Sequence, residues 1–284
     1  MSIKKYLSKI EDFQDKKIII TGATAGIGLC LAKQLVSKNA SLVILARNLS
    51  KANKVRDELL AINQNAKIDI VQYDQSDYDS IDSAVKVINE KHADFDALVA
   101  NAGIMCPNKG EISKQGYPLT IDTNYLGLKR FLDEIIPTYK NKRYLLQGSV
   151  VAGFRVSPKE DIYSDKRGLR TQYHISKACV EALWHHYYVS NKENEFILTE
   201  PGVTSSDIFR NFNWLFRTVG KFLVKVFCHS TNKAALTLLK GLTKDSKNGD
   251  YIVPRGLFTI SGYPKYKKLP KKRIRDFLIN KVRN

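Results

Sequence analysis

The sequence predicts an α/β fold, a doubly wound, mostly parallel sheet of seven strands with helices on both faces. Three observations point to it. Short apolar runs recur along the 284 residues with helix-length segments between them. Apolar residues within those segments fall at i, i+3, i+4 and i+7, the stripe of a helix that covers a core. A glycine-rich turn also follows the first apolar run directly. Strands buried on both faces are near-continuously apolar, and alternation with helices places the crossovers over both sides of one parallel sheet.

In chain order the runs are Ile18 to Thr21, Leu42 to Ala46, Ile68 to Tyr73, Ala97 to Ala100, Tyr144 to Gln147, Phe196 to Thr199 and Tyr251 to Val253. Between them, Leu128, Phe131, Leu132 and Ile135 share one helical stripe, as do Val180, Leu183, Trp184 and Tyr187. The sheet is the default partner of such a stripe and another subunit the alternative. In an open sheet of this kind a ligand lies outside the carboxyl ends of the strands, where the connection direction switches. The turns there hold Gly22 to Gly28 after the first strand, Arg47 after the second and Asp74 after the third. Asn101-Ala102-Gly103, Ser149 and Pro201-Gly202 follow the next three.

The first turn reads Thr21-Gly22-Ala23-Thr24-Ala25-Gly26-Ile27-Gly28. Gly22 permits a tight turn, Gly26 lets backbone approach a pyrophosphate, and Gly28 allows a helix to pack closely on the strand. A helix starting near Gly26 offers free N–H groups and a positive dipole end to phosphate. Three glycines near a strand end can also mark a turn and nothing more.

No Pro, Gly or Ser-rich linker divides the chain, which is expected to form one domain over 1–263 with a basic tail over 264–284. Cys30, Cys106, Cys179 and Cys228 lie far apart with no C-x-x-C pair, so neither a metal site nor a disulfide framework is expected. His92, His174, His185, His186 and His229 lack ligand-like clustering. The amino terminus, MSIKKYLSKIEDF, has no apolar signal-peptide core and no run is long enough to span a membrane, so a cytoplasmic protein is expected. A net charge of +18 favours anionic surfaces.

Together these motifs resemble the short-chain dehydrogenase/reductase family, whose Rossmann fold binds a nicotinamide dinucleotide. The likeness runs from the TGATAGIG turn through Asn101-Ala102-Gly103, Tyr173-His174-Ile175-Ser176-Lys177 and Pro201-Gly202-Val203-Thr204, over about 15–255. Asn124 in its TNYLG context, and the long polar stretch between Ser149 and Tyr173, are similar to the retinol-dehydrogenase-like branch. The resemblance implies that Thr21, Gly22, Thr24, Ala25, Gly26, Ile27 and Gly28 hold the cofactor's phosphates. Asp74 would take the adenine amino group, while Asn101, Ala102 and Gly103 support the cofactor-side strand. Pro201, Gly202, Val203 and Thr204 would border the nicotinamide, with Thr204 or Ser205 reaching its carboxamide.

Arg47 stands where the fold meets the adenosine ribose. An acid there would bond a free 2'-hydroxyl, whereas the guanidinium fork suits a 2'-phosphate, so NADP(H) is expected over NAD(H). Tyr173 and Lys177, one helical turn apart, project along one face. Such pairs are common on ordinary helices; beside the other motifs they imply a phenol whose pKa a neighbouring ammonium lowers from about 10. The family pattern makes Tyr173 the proton donor, Lys177 the group that binds nicotinamide ribose and tunes the phenol, and Asn124 the anchor of a water relay. Ser149 would polarise the substrate carbonyl. A one-residue slip would put Val150 in its place, but no other hydroxyl follows that strand until Ser157.

The implied function is NADP(H)-dependent reduction of a ketone or aldehyde to an alcohol. Phe212, Trp214, Leu215, Phe216, Phe222, Leu223 and Phe227 crowd the family's substrate-lid segment, about 204–230, and suggest a bulky apolar carbonyl substrate. They equally suit a helix covering the core. From Lys265 to Arg283 nine Lys or Arg side chains face one acid, Asp276, which would allow peripheral contact with an anionic membrane or leave an ordinary solvated tail. No recognition motif accompanies the charge, so nucleic acid is not expected; a homo-oligomer stays open. An alternative keeps the fold as a non-catalytic dinucleotide-binding redox sensor or scaffold.

Overall fold

The computed structural model describes residues 1–105, 108, 110–153, 161–204 and 229–269. After a short α1 (Ile3–Leu7) the chain alternates strand and helix. β1 (Lys17–Thr21) leads to α2 (Gly26–Val36), β2 (Ser41–Ala46) to α3 (Leu49–Leu60), and β3 (Ile68–Gln72) to α4 (Tyr78–Lys91). β4 (Ala97–Ala100) is followed by one long helical path made of α5 (Leu119–Ile121), a π turn at Asp122–Leu126 and α6 (Gly127–Ile135). β5 (Arg143–Gln147), α7 (Leu169–Ser190), β6 (Glu195–Thr199), α8 (Thr231–Leu242) and β7 (Tyr251–Pro254) complete the pattern. Caps set several helix starts: Asn48 accepts from the Lys51 N–H at 2.8 Å and Ser230 from that of Lys233 at 3.3 Å.

The sheet order is β3-β2-β1-β4-β5-β6-β7, all parallel, and it ends on an eighth strand, β8 (Pro264–Lys267), antiparallel to β7. The seven expected strands are therefore joined by one that the sequence placed in the basic tail. Its Lys265 and Lys267 read as a charge run, yet lysines and a leading proline are what an edge strand tolerates. Neighbouring rings fasten it: Tyr263 stacks on Tyr6 at 5.3 Å, and Lys240 lies over Tyr266 at 5.4 Å. The remaining tail residues, from 270, lie outside the described residues.

Alternate strand residues enter two cores. Ile19, Val43, Leu98, Leu146 and Leu198 meet α4, α6 and α7, and both predicted helical stripes, Leu128 to Ile135 and Val180 to Tyr187, pack there against the sheet. Ile18, Ile20, Leu42, Ile44, Leu145 and Ile197 meet α2, α3 and α8 on the other face. Each fully buried aliphatic or aromatic side chain contributes roughly 1.5–3 kcal/mol by transfer from water. The connection direction switches between β1 and β4, so their carboxyl ends, at Thr21 and Ala100, open the crevice. Among the described residues no helix is long and apolar enough to cross a membrane.

Candidate active site

At the switch point the glycine turn and the end of β4 are stitched together. Thr21 Oγ1 accepts from the N–H groups of Asn101 (3.1 Å) and Ala102 (2.9 Å), and Asn101 Nδ2 donates to the carbonyls of Thr21 (3.0 Å) and Gly22 (3.2 Å). Gly22 has φ +71°, and a Cβ there would lie 2.9 Å from Ala102 Cα; one on Gly28 would collide with the Gly22 carbonyl and the Asn101 amide. Gly26, at φ +56°, faces open space instead. The N-cap of α2 is Ala25, which gives no side-chain cap, so the first N–H groups of an eleven-residue helix point outward beside that space. Tight packing behind and an uncapped helix start in front fit a dinucleotide pyrophosphate.

At the adenosine end Arg47 is exposed and its Nε lies 3.9 Å from Asp74 Oδ2. Asp74 Oδ1 accepts from the Ser76 N–H (3.0 Å) and hydroxyl (2.7 Å), which fixes the carboxylate. The two residues expected to hold adenine and ribose are thus brought together.

The other end of the crevice is built on α7 and the π turn. Tyr173 is half-buried, and its phenol is hydrogen-bonded to the Ser149 hydroxyl. Ser149, and not Val150, is therefore the residue after β5 that meets Tyr173. Lys177 is buried; its Nζ donates to the Gln147 carbonyl at 3.1 Å. Asn124 sits inside the π turn, whose extra backbone width lets its amide clamp the loop after β4. Nδ2 donates to the Ile104 carbonyl (2.8 Å) and the Ser176 hydroxyl (2.9 Å), and Oδ1 accepts from the Ile104 N–H (2.7 Å). Gly103 makes room for this: a Cβ there would lie 3.2 Å from Asn124 Oδ1 and 3.4 Å from Lys177 Nζ.

Burial governs both titrating groups. Desolvation pushes the Tyr173 phenol up to about 12, opposed by the Ser149 hydrogen bond, and brings Lys177 down to about 8, opposed by the charge of Glu181. The sequence led us to expect a phenol lowered by Lys177. In the chain alone the cost of placing a phenolate in an enclosed site dominates, and what opposes it is the Ser149 hydrogen bond rather than Lys177.

Pro201 to Thr204 follows the carboxyl end of β6 and pairs with His229 at Thr204. Gly202, at φ +76°, presses on Ile260, whose carbonyl accepts from the Val203 N–H at 2.8 Å. Ser205 and the lid segment Phe209 to Phe227 lie outside the described residues, as do Cys106, Cys228 and Ser157.

A family model described as short chain dehydrogenase matches residues 16–213. The chain belongs to this family. A short-chain dehydrogenase/reductase from Phomopsis amygdali is 28% identical over 229 residues, 73% of this chain and 68% of that protein. Human 3-keto-steroid reductase/17-beta-hydroxysteroid dehydrogenase 7 is 41% identical over 95 residues, which is 33% of this chain and 28% of that enzyme. Among solved structures, an alcohol dehydrogenase from the archaeon Thermococcus sibiricus, complexed with 5-hydroxy-NADP, has a TM-score of 0.57 and 25% identity, covering 67% of this chain and 77% of that one. As a short-chain dehydrogenase the protein is an oxidoreductase of the class acting on CH–OH or C=O groups with a nicotinamide dinucleotide.

Two residues of this short-chain dehydrogenase's site were not singled out from sequence. Glu181, buried one turn after Lys177, is the lone acid in the apolar run Ala178 to Trp184, and that isolation was the available signal. His229 gave none. Its Nε2 donates to the Pro201 carbonyl at 2.5 Å and its N–H to Val203 at 3.1 Å, so it holds the Pro201 turn. Burial keeps the imidazoles of His229 and His92 below their ordinary range. The unfolded chain protonates near 6.5 while the fold resists, so their stabilisation is fully present above that pH and is lost as pH falls below it through the lower folded values. The melting temperature is expected to drop between pH 7 and about 5, and less steeply in His92→Asn/His229→Asn. An unchanged slope in that variant would assign the acid sensitivity to other groups.

Proposed function

We propose that this chain is an NADP(H)-dependent carbonyl reductase with Tyr173 as proton donor. One observation carries the proposal: the Tyr173 phenol bonds to the Ser149 hydroxyl one helical turn from the buried Lys177. When bound, the reduced nicotinamide supplies a hydride to the carbonyl carbon. Tyr173 gives the oxygen its proton, and Ser149 holds that oxygen in line. Lys177 binds the nicotinamide ribose and stabilises the phenolate left behind. Asn124, through Ile104 and Ser176, keeps the loop and α7 at the separation the proton path needs. Gly22, Gly26 and Gly28 with the start of α2 hold the pyrophosphate, and Pro201 to Thr204 border the nicotinamide, with Thr204 or Ser205 reaching its carboxamide. The aromatic-rich segment 209–227 and the similarity to a 3-keto-steroid reductase support a bulky apolar ketone or aldehyde as substrate.

Arg47 is assigned the 2'-phosphate. A charge-assisted pair of this kind is worth about 1.5–3 kcal/mol, or roughly 10- to 150-fold in affinity. Arg47→Ala is expected to weaken NADPH by that factor in a fluorescence titration and to leave NADH nearly unchanged. Equal weakening of both cofactors would remove the assignment. Turnover is followed as NADPH absorbance with a panel of apolar aldehydes and ketones; tight NADPH binding without turnover across the panel would favour the sensor alternative.

A further inference from the structure

Lys177 is taken out of water, yet its hydrogen bond to the sheet is to a neutral group, the Gln147 carbonyl. A buried ammonium needs a counter-charge to remain one. Among the described residues, the candidate groups stand on α7 and on the elements around it. On α7 itself stand Tyr173 and Glu181. On the elements packed against it, Asp122 of the π turn receives the Tyr78 hydroxyl at 3.1 Å, and Asp133 of α6 receives that of Tyr187 at 2.6 Å. Tyr125 is packed toward Cys179 and Tyr163, and Glu200, beyond β6, lies 3.5 Å from the Thr259 hydroxyl.

Glu181 is placed differently. It is 1% exposed and one turn from Lys177, so both point to the same side of the helix. Its Oε1 lies 3.4 Å from where a Cβ on Gly148 would be. Gly148 joins Gln147, whose carbonyl receives Lys177, to Ser149, whose hydroxyl meets Tyr173. The carboxylate thus lies against this turn, next to the residues that meet Lys177 and Tyr173.

We propose that Glu181 is a positioning residue: its buried carboxylate is the counter-charge that keeps Lys177 an ammonium and holds it against the Gln147 carbonyl, under the Tyr173–Ser149 pair. The consequence for catalysis rests on the carbonyl-reductase reading above; the charge pairing does not. Glu181 itself touches neither substrate nor cofactor. It acts through Lys177, by extending the pH range over which that ammonium persists.

The test is a carbon-13 NMR titration of the full chain labelled at lysine Cε, with the Lys177 resonance assigned by its loss in Lys177→Met. Glu181→Gln keeps the volume and removes the charge, and it is expected to raise the acid dissociation constant of Lys177 roughly tenfold or more, moving its midpoint to lower pH. Glu181→Asp retains the charge at a greater distance and is expected to move the midpoint less. An unchanged midpoint in both variants would make Glu181 a packing residue and overturn the proposal. If the glutamine variant does not fold, the aspartate variant decides by the same criterion. The alkaline limb of kcat/KM is then expected to shift with the midpoint. If the midpoint shifts while the native chain reduces no carbonyl compound, the pairing stands and the reductase reading falls.

Discussion

Tyr173→Phe is expected to lower kcat/KM for carbonyl reduction by roughly 100- to 10,000-fold, the range a positioned general acid supplies, with NADPH binding retained. Phenylalanine keeps the ring in its half-buried place on α7 and removes only the hydroxyl. The lost hydrogen bond to Ser149 should cost about 0.5–1.5 kcal/mol of stability, so the variant folds and a loss of turnover can be attributed to the missing proton. Burial of the phenol favours the same assignment. A phenol held at about 12 stays protonated at neutral pH and is poised to donate. Ser149→Ala leaves the donor in place and should cost less than Tyr173→Phe. A Tyr173→Phe enzyme that kept native turnover would mean that another group protonates the alkoxide, and the proposed mechanism would be withdrawn.

What could be read from the chain and what could not divides along physical lines. The seven parallel strands were legible because burial on both faces requires apolar residues throughout, and the glycine turn because left-handed backbone and close approach both exclude a side chain. Tyr173 and Lys177 could be singled out because their one-turn spacing stands beside the glycine turn and the Asn101-Ala102-Gly103 motif; the spacing alone is common on ordinary helices. β8 was hidden because an edge strand needs no apolar pattern, and Lys265 and Lys267 look the same in a tail. The π turn around Asn124 leaves no compositional trace, since one extra residue in a helical turn changes neither propensity nor stripe. The direction in which Tyr173 titrates was also beyond the sequence, because it follows from how completely the site is enclosed, and enclosure belongs to the fold. Glu181 shows the intermediate case. Its isolation in an apolar run was visible, but only the fold places its carboxylate against Gly148.

Lys177→Met should separate catalysis from stability in a way that a generic core substitution would not. Methionine fills similar volume without charge, so the site loses the ammonium that binds ribose and stabilises phenolate. Turnover should fall roughly 100-fold or more, with weaker NADPH binding as well. If Glu181 is the counter-charge, the same change strands a buried carboxylate, which typically costs about 3–5 kcal/mol. The carboxyl can escape only by taking up a proton, so its pKa in the folded variant is raised above the unfolded value. Its destabilisation is then small in acid and grows as pH rises toward neutrality. Adding Glu181→Gln removes the stranded charge. Lys177→Met/Glu181→Gln should therefore recover most of the stability at pH 7 while staying inactive, and its melting temperature should depend less on pH than that of Lys177→Met. Thermal melts of the four proteins at pH 5 and pH 7 give the coupling directly. A double variant no more stable than the single one would mean that the two charges are independent, and Lys177 would then owe its protonation to the Gln147 carbonyl and the bound dinucleotide alone.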